Sequence, residues 1–294
     1  MADEETKGEE EVEEPSPGAK PSYIGGFFTG FFKIRDEPSV WGKMVMGSLC
    51  LGLIALGWWF VTLGTPEERM VSPSTLGSPG EVFSTFPSLW FDRALTRNMV
   101  ASLWRVAQGF GLAVLIGMPL GLLAGTFRRI GAFVAPLVVF FRNVPVAALI
   151  PLTMLWFGID ELQKVMFLFI ACVAFITFDA TQTISHVPQQ YLDTAYTLGA
   201  SRAQIIFKVL VPLAMPDLFN STRLLFGLGF GYIILAEVVN MDKGLGTLIA
   251  QSQRRGPREH VYLCLLVIAV LAYCIDRLLY WIGKQLFPYR FKEE

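Results

Sequence analysis

The chain has 294 residues, of which 53% are hydrophobic and 17% are charged, and its formal net charge is −1. Soluble domains usually carry about a quarter charged residues, so this composition indicates a protein whose solvent is lipid. It excludes a disordered protein, a disulfide scaffold and a nucleic-acid binder that depends on a strongly basic surface.

The N-terminal segment 1–21 is strongly acidic, with eight carboxylates and two lysines. Without it the chain keeps 22 basic and 17 acidic residues, so the tail is acidic and the body is basic. We expect the tail to be a solvated, disordered cytoplasmic extension, with a docking role as the alternative. The next segment, 22–42, contains two phenylalanine pairs in a run too short to span a bilayer. This pattern favours an interfacial helix on the cytoplasmic leaflet.

Six runs of mainly apolar residues are long enough to cross the hydrocarbon core as helices. The predicted spans are 43–64, 104–125, 131–157, 161–183, 213–238 and 260–283. The sequence therefore predicts an all-α membrane protein with six transmembrane helices. Its first span, with the external loop that follows, occupies 43–98.

The distribution of basic residues predicts the orientation of these spans. The loops 126–130 and 184–212 carry arginine and lysine, which the positive-inside rule places in the cytoplasm. An even number of spans then leaves both termini cytoplasmic. The loop 239–259 falls outside although it carries three arginines, and the alternative is that it folds back into the vestibule of a pore. These arginines are Arg254, Arg255 and Arg258.

Glycines mark two of the spans. Gly117, Gly121 and Gly125 recur every four residues in the second span, a spacing that lets two helix backbones approach closely. Three glycines within 227–231, each two positions from the next, do not share one face. We expect them to loosen the fifth span and give it a place to bend.

Polar residues inside the predicted spans are candidates for a translocation pathway. Arg142 lies near the middle of the third span, where facing lipid would cost roughly 3 kcal/mol or more, and Asn143 follows it. One hypothesis is that Arg142 attracts an oxyanion; the other is a structural ion pair with Asp179 or Glu237. Glu237 is itself a candidate pathway residue, with an inter-helix contact as the alternative. The single histidines and the cysteines form no metal-binding or catalytic spacing.

The loop between spans four and five is polar but strongly patterned. Pro188 suits the first turn of a helix and Gly199 suits its end. Ser201 and Gln204 then form a capping box for a second helix. This pattern predicts two short helices that project into the cytoplasm and enter a groove on a soluble partner. Their apolar side chains are those of Leu192, Ala195 and Leu198.

This loop resembles the EAA loop of ABC importer permeases, with the pattern E-A-A, three residues, G, nine residues, I-x-L-P. The matching residues are Asp193, Thr194, Ala195, Gly199, Val209 and Pro212. Asp193 and Thr194 depart from the family's Glu and Ala. The resemblance extends from about 102 to 290 and includes Ala236-Glu237 and Gly244-Leu-Gly246. It is closest to the branch of nitrate, sulfonate, taurine and bicarbonate permeases.

The resemblance implies a type I ABC importer permease fold over 99–290, with a cytoplasmic coupling helix in the EAA loop 188–212. It also implies a transport subunit that is not an enzyme and binds no cofactor, while cytoplasmic ABC ATPase subunits use ATP. The six matching loop residues would couple to that ATPase. An extracytoplasmic solute-binding protein would deliver the solute to a pair of permeases, expected to be a homodimer. No G-x4-G-K-[ST] phosphate loop occurs in the sequence, which agrees with a separate ATPase.

We therefore predict a multi-pass permease of the bacterial inner membrane that contacts lipid and no nucleic acid. It would form a pathway for a small solute, an oxyanion of the nitrate, sulfonate, taurine or bicarbonate type, by alternating access. The alternative is a stand-alone channel or secondary transporter. That alternative gives no role to the patterned EAA loop, and the two halves of the sequence contain no convincing repeat.

Overall fold

The computed structural model describes residues 39–65, 67–73, 75–239 and 242–289, with only the backbone at Arg255. The prediction for the acidic tail 1–21 lies outside these residues, as does most of the predicted interfacial segment. The chain divides into two compact units, with the boundary between Gly57 and Trp58.

The described residues fold into twelve α-helices with no strand among them. The helices are α1 (Val40–Val61), α2 (Pro79–Ser84), α3 (Phe86–Phe91), α4 (Leu95–Thr126), α5 (Arg128–Asn143), α6 (Leu149–Phe157), α7 (Glu161–Ser185), α8 (Gln189–Thr197), α9 (Arg202–Ile205), α10 (Val211–Val239), α11 (Leu245–Arg255) and α12 (Glu259–Leu286). A 3₁₀ turn, Val146–Ala148, precedes α6, and a π-helical turn, Ile206–Leu210, joins α9 to α10. The prediction of an all-α fold is confirmed.

Five stretches of the described chain are long and apolar enough to cross a membrane, and they become six if α5 and α6 together count as one span. The five are α1, α4, α7, the continuous run Arg202–Val239 and α12. The first begins at Val40, so the last residues of the predicted interfacial segment belong to α1. The part of α1 in the first unit is apolar, and its large side chains are exposed.

The third predicted span is not one straight helix. α5 ends at Asn143, and its axis makes an angle of 87° with that of the segment Val146–Phe157. Pro145 explains the break, since proline has no N–H to donate and forces the residue before it out of the helical region. Val144 accordingly has φ −68° and ψ 128°, which are extended values. The prediction of a continuous helix over 131–157 was therefore wrong.

Helices α4 and α7 pack with their backbones close together, as the glycine spacing predicted. A Cβ atom at Gly121 would lie 2.5 Å from the Cβ of Ala180, and one at Gly125 would lie 2.7 Å from the carbonyl oxygen of Thr181. Only glycine allows this approach. The glycines at 227–231 do not interrupt the helix, since α10 runs unbroken through them to Val239, and the bend expected there stays a prediction.

Candidate functional site

The segment 188–212, which we name the coupling module, begins with α8. Helix α8 ends in a Schellman motif. The N–H of Gly199 donates to the carbonyl of Tyr196 at 2.9 Å, and the N–H of Ala200 donates to the carbonyl of Ala195 at 3.0 Å. Gly199 has φ +75°, a left-handed conformation that favours glycine. The predicted end of the first helix is thereby confirmed.

The predicted capping box is also present at the start of α9. The Gln204 N–H donates to Ser201 Oγ at 3.4 Å, and the Ser201 N–H donates to Gln204 Oε1 at 2.8 Å. However, α9 is not a separate projecting helix, because it continues through the π-helical turn into α10. The prediction of two short independent helices was therefore wrong for the second one.

Several motif residues of the coupling module pack against one another. Ala195, Ile205 and Leu210 are buried, and Leu192 and Val209 pack beside them. Leu192 and Ala195 were predicted to face a partner, yet Ala195 is buried in the module and Leu192 is half-buried against it. Leu198, the third residue predicted to face a partner, is 81% exposed. The small or apolar side chains at positions 195 and 209 thus have a local reason, which is the packing of α8 against the following turn.

The two departures from the family pattern lie on the surface of α8. Asp193 and Thr194 are exposed. The Gln189 amide donates to Asp193 Oδ1 at 3.0 Å, and the Thr194 hydroxyl donates to the carbonyl of Gln190 at 2.7 Å. Neither substitution therefore disturbs the module's packing. Their coupling role stays a prediction.

Pro212 stands where the coupling module meets the long helix α10. Proline has no N–H, so the ordinary helical bond to the carbonyl of Lys208 cannot form. The turn Ile206–Leu210 just before it is π-helical, and the N–H of Val211 bonds to the carbonyl of Ile206. The Tyr289 hydroxyl donates to the carbonyl of Pro212 at 3.4 Å, which ties this joint to the end of α12.

A buried polar network lies at the other end of α10, around Glu237. This side chain has no exposed surface. Its Oε1 accepts from Arg105 Nη1 at 2.6 Å, its Oε2 accepts from the N–H of Gly246 at 3.0 Å, and the Ser102 hydroxyl lies 2.8 Å from both oxygens. A buried carboxylate is tolerable only with such partners. Glu237 therefore links α10, α4 and the start of α11.

Arg105 extends this network to α7. Its Nε donates to Glu161 Oε2 at 2.6 Å, and its Nη1 also donates to the carbonyl of Lys243 at 2.6 Å. Lys164 is almost fully buried, and its Nζ lies 3.8 Å from Glu161 Oε1. Two cations and two carboxylates therefore alternate across three helices, with Arg105, Lys164 and Glu237 buried and Glu161 exposed at the edge of the network.

The glycine pair after α10 fits tightly around this network. Gly244 has φ +123°, and a Cβ atom there would overlap the Glu237 carboxylate. A Cβ atom at Gly246 would overlap the carbonyl oxygen of Ile234. The N–H of Leu245, between them, donates to Ser102 Oγ at 2.9 Å. These contacts give Gly244 and Gly246 a steric reason to be glycine next to Glu237.

The structure does not bring the predicted pathway residues Arg142 and Glu237 into contact. Among the described residues Arg142 forms no ion pair with Asp179 or Glu237, so the predicted structural ion pair was wrong: Arg105 is the partner of Glu237. The Arg142 guanidinium instead lies 3.8 Å from the centre of the Phe178 ring. Asn143 donates its amide to the carbonyl of Val139 at 2.8 Å. Pathway roles for all three stay predictions.

The arginine-rich loop 239–259 forms a helix that packs back onto the bundle. Leu245, Leu248 and Ala250 of α11 are buried, while Arg254 near its end is exposed. The segment therefore packs on the bundle, while the alternative that it folds back into the vestibule of a pore stays a prediction.

Sequence reasoning missed most of the buried network. Ser102, Arg105, Glu161 and Lys164 were not singled out, since each is an isolated polar residue in or beside an apolar run. A signal was available in Arg105 and Lys164, because charged residues within predicted spans need partners.

Comparison with known proteins places the chain in a family. Residues 117–287 match the model of the binding-protein-dependent transport system inner membrane component. The taurine transport system permease protein TauC of Escherichia coli is 29% identical over 81% of this chain and 87% of its own length. The bicarbonate transport system permease protein CmpB of Synechococcus elongatus is 30% identical over 66% of this chain and 70% of its own.

Solved structures agree on the fold. A chain of the MetNI methionine ABC transporter in an inward-facing conformation superposes with a TM-score of 0.59 at 22% identity, covering 69% of this chain and 98% of that chain. The type I importer permease fold is thereby confirmed, and the taurine and bicarbonate relatives confirm the predicted branch. The chain belongs to the family of binding-protein-dependent transport system inner membrane components, as a transport subunit that is not an enzyme and works with a separate ATPase and a binding protein.

Proposed function

We propose that this chain forms half of a translocation pathway for a small oxyanion, and that ATP binding by a cytoplasmic ATPase drives it between inward and outward access. Two copies would assemble as a homodimer with both termini in the cytoplasm. The chain itself would bind no cofactor, since ATP is used by the partner.

The observation that carries this proposal is the construction of the coupling module. The motif residues Ala195, Gly199 and Val209 serve the module's own fold, which leaves Leu198 exposed at the end of α8. An exposed leucine on a short rigid helix fits a groove on a soluble partner. Because the module continues into α10, movement of that partner would be transmitted directly to a span.

The solute class is supported by the relatives and by one side chain. TauC is named for taurine, which carries a sulfonate, and CmpB is named for bicarbonate. Both solutes bear a small oxyanion group. Arg142 offers a guanidinium, the side chain best suited to bind such a group through paired hydrogen bonds. Uptake of labelled taurine, an alkanesulfonate and bicarbonate into proteoliposomes with the binding protein and ATPase would identify the solute.

The coupling step is tested by Leu198→Asp. A buried carboxylate in the groove would be desolvated without a partner, so the variant should lose the ATPase subunit on co-purification and lose uptake. Phe91→Asp is the matched control, since Phe91 is 78% exposed on α3, at the opposite end of the bundle. An ATPase that remains bound to Leu198→Asp as firmly as to the wild type would overturn the proposal.

A further inference from the structure

One face of α12 carries aromatic and basic side chains in alternation near the helix end. We name this set the α12 stripe. It consists of Tyr273, Arg277, Tyr280, Trp281 and Lys284. The spacing of three, four and seven residues places them on the same side of the helix. We propose that the α12 stripe binds the headgroup of an anionic phospholipid.

Arg277 is the centre of the stripe and is open to a ligand. Its guanidinium carbon lies 6.0 Å from the centre of the Tyr273 ring and 5.8 Å from that of Tyr280. Both Arg277 and Tyr273 are exposed, and within the described part of the chain no carboxylate forms an ion pair with Arg277. The rings hold the guanidinium in place while its N–H groups stay available for phosphate oxygens.

The neighbouring acid does not neutralise this site. Asp276 is paired with Arg223 of α10, with 2.8 Å between its Oδ1 and the arginine Nε. Arg223 also lies 5.2 Å from the centre of the Tyr280 ring. With Lys284, the cluster has three cations for one carboxylate. The excess positive charge matches a phosphodiester, and best one whose headgroup adds no positive charge, as in phosphatidylglycerol.

The depth of the stripe fits the level of lipid headgroups. Tyr262, near the start of α12, and Tyr280 are 18 residues apart, or about 27 Å along a helix. That length matches a hydrocarbon core of about 30 Å bounded by aromatic residues at both surfaces. Tyr280 and Trp281 would thus lie at the boundary between hydrocarbon and headgroups. Arg277, one helical turn deeper in the hydrocarbon, would extend its guanidinium towards the headgroups, and Lys284 would lie among them.

The stripe lies at the coupling-module end of the bundle. The ring of Phe219, early in α10, would meet a Cβ atom at Gly283, and Tyr289 bonds to Pro212. In the orientation of the proposed function this is the cytoplasmic leaflet, whose anionic lipids attract basic side chains next to spans. Anionic lipid would then be held beside the joint between the coupling module and α10.

The test measures phospholipid that stays with the purified full-length chain. Wild-type protein is reconstituted in phosphatidylcholine containing a minority of phosphatidylglycerol, exchanged into detergent, and analysed by mass spectrometry for both lipids. Phosphatidylglycerol should be enriched over its share of the bilayer. Arg277→Gln combined with Lys284→Gln should reduce the retained amount by about tenfold or more, since each basic residue contributes separately.

Arg254→Gln, which removes an exposed arginine near the end of α11, is the matched control and should retain phosphatidylglycerol as the wild type does. The single variant Lys284→Gln, at an exposed position, should lose less phosphatidylglycerol than the double variant. It provides the test if the double variant does not fold. Equal retention in wild type and both variants, or an equal loss in the control, would overturn the proposal. The assay contains no ATPase or solute, so its result is independent of the proposed function.

Discussion

Arg105 donates to Glu237 across 2.6 Å, although 132 positions separate the two residues in the chain. Both side chains are buried, and the pair joins α4 to α10, the long helix that follows the coupling module. The contact therefore holds α4 and α10 together at the end of the bundle opposite to the coupling module.

Replacing Arg105 by leucine should destabilise the bundle strongly. The variant leaves the Glu237 carboxylate buried without its cation, which typically lowers the free energy of unfolding by about 3–5 kcal/mol. Thermal unfolding of the purified permease in mild detergent measures this loss. Arg97→Leu removes an exposed arginine from the same helix and should leave the midpoint nearly unchanged. The interpretation fails if both variants unfold at the same temperature.

Gly199 should accept asparagine better than valine. Its φ of +75° is accessible to asparagine but strained for a β-branched residue, by about 1–2 kcal/mol. Gly199→Val should thus loosen the end of α8 and weaken ATPase co-purification, while Gly199→Asn should keep most of it. The unfolding midpoint of the spans should be the same in both variants. Indistinguishable ATPase binding by the two would show that the left-handed turn does not matter for coupling.

Arg142 should be required for uptake but not for assembly. If its guanidinium contacts the anion, Arg142→Ala and Arg142→Lys should each reduce uptake by at least about tenfold, because lysine lacks the planar fork and stacks poorly on Phe178. Uptake of the identified solute into proteoliposomes measures this, with Arg129→Ala as the control for an exposed arginine. Loss of the assembled complex in both Arg142 variants would instead indicate a structural role.

The segment between α1 and α3 should have an acid-sensitive contact between Arg69 and Glu81. The Arg69 guanidinium, together with the N–H of Ser78, lowers the pKa of Glu81 from 4.5 to about 2. A lowered pKa means that the contact stabilises the folded loop above the ordinary carboxyl pKa and that this stabilisation is lost as pH falls towards 2.

Hydrogen exchange of α2 as a function of pH measures this contact. The wild type should keep its protection at about pH 4, near the unperturbed carboxyl pKa, whereas Arg69→Gln should begin to lose it there. Protection that falls at the same pH in both proteins would mean that Arg69 does not set the titration of Glu81.

Features with a local cause could be predicted from the sequence. The capping box of Ser201 and Gln204 and the glycine end of α8 follow from the chemistry of neighbouring residues. The close packing at Gly121 follows from spacing along one helix face. The number and rough position of the spans depend on hydropathy alone, which is also local.

The remaining features depend on three-dimensional packing. Pro145 was visible in the third span, but hydropathy measures how apolar a segment is and not whether its axis bends by 87°. The partner of Glu237 could not be identified, because neither helical spacing nor composition relates residues on helices that are distant in the chain. Ala195 was placed on the partner-facing side since it is apolar, and only the fold shows that α8 needs it for its own packing.

The uninterrupted helical run from Arg202 to Val239 has a mechanical consequence. Its 38 residues extend about 57 Å. One end belongs to the coupling module. The other end carries Glu237, whose carboxylate accepts a hydrogen bond from the backbone N–H of Gly246 at the start of α11. A displacement of the coupling module would therefore be carried along this helical run to Glu237, and it would strain the buried hydrogen bonds that Glu237 makes to α4 and α11.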